Sequence, residues 1–143
     1  MDFEDLEESA EQELKRADHL LYVTLKYTRT AEVIKNAIKR LINAFDFAIL
    51  EALKYLKVKD ISNVPRERSK QLVEKIPKMK KEISLYILMK NIDAAEFKAT
   101  EEYRKNVTLL TKIANVNIVK LDEFFHRTIE FVKGIEELVK KKK

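Results

Sequence analysis

A single glycine, Gly134, and two prolines, Pro65 and Pro77, are all the backbone punctuation in this chain of 143 residues. Glycine enters left-handed turns without steric cost and proline presets a turn, so three such residues leave little from which to build tight hairpins or phosphate loops. Long uninterrupted stretches remain, and these favour helix. The expected fold is all-α: an up-and-down bundle of four long helices, making one helical-bundle domain over residues 1–143.

Hydrophobic periodicity supports that expectation. Phe3, Leu6, Ala10, Leu14, Ala17, Leu21 and Leu25 alternate steps of three and four, which places them on one face of a first helix ending near Tyr27. Thr30 reads as the N-cap of a second helix running to about Leu56. Its wide apolar set includes Ile34, Ile38, Leu41, Phe45, Ile49 and Leu53, as expected of a helix at the centre of the core. Ser62 or Asn63 is available to cap a third helix beginning near Arg66, with Pro65 tolerated in its first turn. Pro77 predicts a kink or break in that helix, because proline lacks an amide and disfavours helix at Ile76. The segment from about 92 to 116 is irregular, with a helical turn expected across Asp93 to Arg104 and local extension at VTLLT. A last helix, capped near Asn115 or Asn117, carries Leu121, Phe124, Phe125, Val132 and Ile135 inward.

No apolar run reaches the roughly 18 residues a membrane span needs, and the start MDFEDLEESAEQEL is unlike a basic, apolar signal peptide. With 45% apolar and 37% charged residues, the expectation is a soluble, cytoplasmic protein without a membrane partner. The absence of cysteine excludes disulfides, thiolate metal sites and cysteine nucleophiles. High Lys, Glu and Ile usage resembles the composition of proteins from heat-loving organisms.

Charge is polarised along the chain. Residues 1 to 14 carry seven acids and no base, which leaves 29 bases against 17 acids in the remainder. Ten bases fall between 54 and 81 against Asp60, Glu67 and Glu74. Arg66, Arg68, Lys70, Lys78 and Lys81 are the candidate nucleic-acid contacts in this block, since such a field suits a phosphate backbone. The bland reading is a solvated helix face that keeps the protein soluble.

Chemistry-bearing residues are few. No Walker loop, dinucleotide fingerprint, nucleophile elbow or zinc spacing is present, so neither a cofactor nor a metal is expected. The two histidines are His19, beside Asp18 and three residues from Arg16, and His126, four residues from both Asp122 and Glu130. The second set shares one helical face and reads as a surface ion-pair ladder that could also orient an imidazole. Asp46, between Phe45 and Phe47 on the most apolar helix, needs a partner if buried, and a base from another helix is expected. Tyr103, Arg104, Lys105 and Asn106 form a candidate polar site in the irregular segment, where a loop held by a scaffold can carry function.

The long helices, the run Ala44 to Leu53 with its Asp46, and the later Arg104 and Asn106 together resemble the small prokaryotic HEPN helical-bundle domains. The resemblance is architectural and covers residues 10–140 in outline. It implies a chain that pairs with a second copy, and in the active members an arginine followed four to six residues later by an RNA-cleaving histidine. Arg104 and Arg127 have no histidine at that separation. The departure points to a non-enzymatic, homodimeric binding or regulatory module, of toxin–antitoxin type, with RNA or a protein as partner. The alternatives are a metal-independent ribonuclease with a degenerate site around Arg104, and a purely structural assembly subunit.

Overall fold

The computed structural model describes residues 9–140; the Phe3 and Leu6 positions, the acids before Ser9 and the lysines after Lys140 lie outside the described residues. Helix α1 (Ala10–His19) begins where the Ser9 hydroxyl accepts the Gln12 amide at 3.1 Å. It continues through a π-helical segment, Leu20–Thr24, into a closing turn, Leu25–Tyr27. Within that segment the Leu25 amide bonds back to the Leu20 carbonyl, five residues earlier. Helix α2 (Ala31–Tyr55) starts at the expected Thr30, whose Oγ1 accepts the Val33 amide at 3.2 Å. It is the spine of the molecule, packed by α1 and by the last helix and touched by every other layer. Thirteen of its 25 residues are buried, including Ile34, Ile38, Leu41, Phe45, Ile49 and Leu53.

Pro77 breaks the helix rather than kinking it. Helix α3 (Pro65–Lys75) ends before Ile76, which takes φ −133° and ψ 81°; a 3₁₀ turn, Pro77–Met79, then leads into α4 (Lys80–Ala94). The extended Ile76 is the residue that proline excludes from helix. The expected Ser62 or Asn63 cap is not used. Val64 occupies the N-cap position without a side-chain bond, and the Ser62 hydroxyl instead accepts the Val64 amide at 3.0 Å and donates to Glu67 Oε2 at 3.1 Å.

The clearest correction concerns residues 92–116, where strands replace the expected helical turn. Strands β1 (Lys98–Thr100), β2 (Thr108–Leu110) and β3 (Asn115–Asn117) form an antiparallel sheet in the order β1-β2-β3. The molecule is therefore mostly helical with a small sheet, and not a clean four-helix bundle. Leu109 faces Val116 across the pairing, and both are buried, so the sheet covers one end of the core. The extended reading of VTLLT holds, and Asn117 caps α5 (Ile118–Lys140) by accepting the Lys120 amide at 2.8 Å.

These hairpins form without glycine. Glu101 (φ 58°) and Tyr103 (φ 66°) adopt the left-handed conformation, at a cost of roughly 1–2 kcal/mol each. Compensating contacts surround them: the Tyr103 amide donates to the Arg29 carbonyl at 2.6 Å, and Glu102 Oε2 accepts the Ala31 amide at 3.0 Å. The second of these is a carboxylate at the positive end of α2, where it satisfies an otherwise orphan donor. In the β2–β3 turn, Thr111 Oγ1 accepts the amides of Ile113 and Ala114 at 3.1 and 3.0 Å, a side-chain substitute for a turn residue. No helix among the described residues is long and apolar enough to cross a membrane.

Candidate functional site

Sequence reasoning nominated three regions; the structure brings Arg68 of the basic block beside Asp46 and keeps the Tyr103–Asn106 loop apart from both. The Tyr103–Asn106 tip lies against the start of α2 through Glu102 and Ala31, whereas Asp46 sits fifteen residues further along that helix, about 22 Å at 1.5 Å per residue. Tyr103, Arg104, Lys105 and Asn106 are all exposed, and among the described residues the Arg104 guanidinium pairs with Glu101 alone, at 3.7 Å. The loop's anchoring groups are Glu102 and the Tyr103 amide, so its contacts with the rest of the fold are structural.

Asp46 finds a tyrosine and not the expected base. Its Oδ1 accepts the Tyr86 hydroxyl from α4, and the Tyr86 ring lies 5.4 Å from that of Phe45. Burial and this hydrogen bond push the Tyr86 phenol far above the ordinary tyrosine range. Arg68 shares a hollow of about 340 Å³ with Asp46, Glu13, Asn43, Phe47 and Leu50, yet makes no ion pair there; its buried Nε has no hydrogen-bond partner. Arg66 turns elsewhere and donates to Asn91 Oδ1 at 2.6 Å. The two arginines of the basic block thus diverge.

Beside that hollow lies a charged cluster absent from the sequence reading. Glu13 of α1 is buried, with 2% exposure, and its carboxylate accepts Arg16 Nη1 at 3.0 Å, Arg40 Nη1 at 3.3 Å and Asn43 Nδ2 at 2.8 Å. A signal was available: Glu13 stands three residues after Ala10 and four before Ala17, both apolar-face positions, so helical geometry carries it inward. On the far side of Arg40, a second hollow of about 430 Å³ is lined by Gln12, Lys15, Arg16, His19, Leu20 and Arg40. The two hollows share no lining residue, and the Arg40–Glu13 bond links the side chains of one to those of the other.

No known protein family, curated protein or solved structure matches this chain. The functional reading therefore rests on the surface itself. Between residues 54 and 81, Lys54, Lys57, Lys59, Arg66, Lys70, Lys75, Lys78, Lys80 and Lys81 are exposed, against exposed Asp60, Glu67 and Glu74. None of these nine bases makes an ion pair among the described residues. Lys78 and Lys81 further share a hollow of about 400 Å³ with Arg127 of α5, alongside Glu82 and Glu130.

The π-helical segment turns Tyr22 toward α5. Its hydroxyl donates to Asp122 Oδ1, its ring meets Phe125 edge-on at 5.8 Å, and His126 Nε2 lies 3.3 Å from the hydroxyl and 3.4 Å from Asp122. The expected Asp122–His126 pair is present, while Glu130 belongs to the separate hollow with Lys78. Partial burial, then the Asp122 hydrogen bond and the charges of Asp122 and Asp18, push the Tyr22 phenol up to about 12. The Tyr22 hydroxyl keeps its proton firmly although the side chain sits on open surface, 40% exposed.

An acidic counterpart closes the opposite end of α1. Glu11, Glu51 and Glu136 line a hollow of about 340 Å³ with Phe47 and Val132. The Glu136 carboxyl is raised, first by its hydrogen bond with Glu11, then by burial and by the charges of Glu11 and Glu51. A raised carboxyl stabilises the fold while protonated, below its unfolded value of 4.5, and that contribution is lost as pH rises through the folded value. Glu136→Gln is accordingly expected to raise the melting temperature at neutral pH, with the gain disappearing in acid. A melting series across acidic and neutral buffers checks this; an equal gain at every pH would reject the shared-proton account.

Proposed function

We propose that this chain is a non-enzymatic binding protein whose partner is RNA, held by the exposed bases that run from the end of α2 through α3 to the start of α4. The observation that carries the proposal is the set of nine exposed bases between residues 54 and 81 that make no ion pair among the described residues. Surface cations that the fold has already paired contribute little to a polyanion, because an existing ion pair must be broken first; these need no such exchange. Lysines dominate the face, with Arg66 held by Asn91, which suits contacts to phosphates along a backbone more than bidentate reading of bases. A homodimer is part of the proposal, as the HEPN-like resemblance implies, and Tyr27 (84% exposed) and Val119 (76% exposed) supply apolar surface for a second copy.

The test is a salt series of binding to short labelled RNAs, comparing wild type with Lys70→Glu/Lys78→Glu/Lys81→Glu. If about six phosphates are contacted, log affinity falls against log salt with a slope near −4. The triple reversal is expected to weaken binding by roughly 100-fold or more, since each reversal removes a phosphate contact and adds a repulsion. Absence of binding at low salt would reduce this face to a solubilising surface. RNA breakage in clean protein, lost in Arg104→Ala, would favour the ribonuclease alternative instead.

A further inference from the structure

We infer that the hollow between α1 and α2, lined by Gln12, Lys15, Arg16, His19 and Arg40, is a binding site for a phosphate monoester group. It lies outside the basic block invoked above and stands on different observations. First, every ionisable side chain lining this hollow of about 430 Å³ is basic or an imidazole. Second, the carboxylate that holds it together is beneath it: Glu13, 3% exposed at its side chain, takes Nη1 of both Arg16 and Arg40, at 3.0 and 3.3 Å.

That arrangement separates fixing from binding. Glu13 orients two guanidinium groups that would otherwise sweep through many rotamers, so less entropy is lost when they meet an anion. For Arg40, 42% exposed at its side chain, only Nη1 is used, and its other donors make no hydrogen bond among the described residues. Lys15, Arg16 and Arg40 present cationic donors to a hollow whose described lining holds no carboxylate, which suits a phosphate monoester with its nearly two negative charges at neutral pH. The Gln12 amide adds an uncharged donor. The volume exceeds what a phosphate fills, so whatever bears the phosphate extends out over the surface.

Two sources share this chemistry, a free phosphate or mononucleotide and the phosphorylated end of an RNA strand. Thermal unfolding in inorganic phosphate and in AMP, each against chloride at matched ionic strength, tests the site itself. Phosphate is expected to raise the melting temperature of wild type, with affinity falling about tenfold in Lys15→Glu and roughly 30-fold in Arg40→Gln. Lys15 is exposed and outside the Glu13 bonds, so its variant keeps the fold and isolates the ligand effect. Equal stabilisation by chloride, or a response unchanged in Lys15→Glu, overturns the inference. Comparing RNAs with 5′-phosphate and 5′-hydroxyl ends then separates the sources. A Lys15-dependent preference for the phosphorylated end assigns the site to strand termini; a response to free phosphate or AMP without that preference assigns it to the small anion. Phosphate binding that persists when no RNA binds would reject the RNA reading and leave this site standing, whereas RNA binding with no phosphate response would do the reverse.

Discussion

Replacing Glu13 with alanine is expected to lower the unfolding free energy by about 2–4 kcal/mol and the melting temperature by roughly 5–15 °C. The side chain is 3% exposed and accepts from two arginines and an asparagine across α1 and α2. Removing one partner of a buried charge network typically costs about 3–5 kcal/mol, because the remaining charges stay desolvated without compensation. Here Arg16 and Arg40 are 33% and 42% exposed at their side chains, so both recover some hydration and the estimate falls. Glu13→Gln is expected to lie between wild type and alanine, since its amide keeps one acceptor but turns a donor toward other donors. The surface pair Lys120–Glu123, 3.7 Å apart and about half exposed on both sides, provides the contrast. Glu123→Ala should change stability by less than about 0.5 kcal/mol. Urea unfolding of the three variants decides the matter, and a Glu13→Ala loss no larger than that of Glu123→Ala would refute the buried-network account.

The difference between those two glutamates also shows where sequence reading stops. Helix positions are legible because burial imposes a period: the helical run that begins with α1 stops at Tyr27 as expected, α2 ends at Tyr55 beside the expected Leu56, and α5 starts directly after Asn117. The break before Pro77 follows from proline's own sterics, and the caps at Thr30 and Asn117 from their side-chain oxygens. What the period cannot give is the identity of a partner on another element. Glu13 was one acid in an acidic run, and its inward position becomes meaningful only once Arg40 and Asn43 stand opposite. Asp46 was legible as a buried carboxylate in need of a partner, but the partner proved to be the Tyr86 hydroxyl. The sheet was hidden for a different reason. Its turns use left-handed Glu101 and Tyr103 and the Thr111 hydroxyl, so the usual glycine signal is absent, and strands of three residues are too short to show alternation. The candidate loop around 103–106 was legible as irregular and charged, with Glu102 among its residues, but the bond by which Glu102 anchors it to the Ala31 amide was not.

Phe45→Ala is expected to be at least as damaging as the loss of Glu13, at about 3–5 kcal/mol. Phe45 has no exposed surface, stacks on Phe131 of α5 at 4.5 Å and 22°, and meets Tyr86 of α4 at 5.4 Å, so one ring joins three helices. Alanine removes the transfer energy of the ring and leaves a cavity that α2, packed on several sides, has little freedom to close. Phe45→Leu, which refills most of the volume, should cost no more than about 1.5 kcal/mol. The neighbouring Asp46 gives this prediction a second readout. Consecutive residues hold the ring and the hydroxyl of Tyr86, so Phe45→Ala and Asp46→Ala should couple by about 0.5–3 kcal/mol instead of adding. The sign with pH follows from the raised phenol: a tyrosine whose folded value exceeds the ordinary 10.0 stabilises the fold fully below pH 10 and loses that contribution as pH rises beyond it. Wild type should therefore unfold in alkali as Tyr86 ionises, and Phe45→Ala should do so at lower pH. Ultraviolet absorbance of tyrosinate followed together with circular dichroism makes the comparison: ionisation of Tyr86, identified by difference from Tyr86→Phe, should coincide with loss of helix in both proteins. Ionisation of that tyrosine well before unfolding would show that neither its burial nor its bond to Asp46 holds in solution.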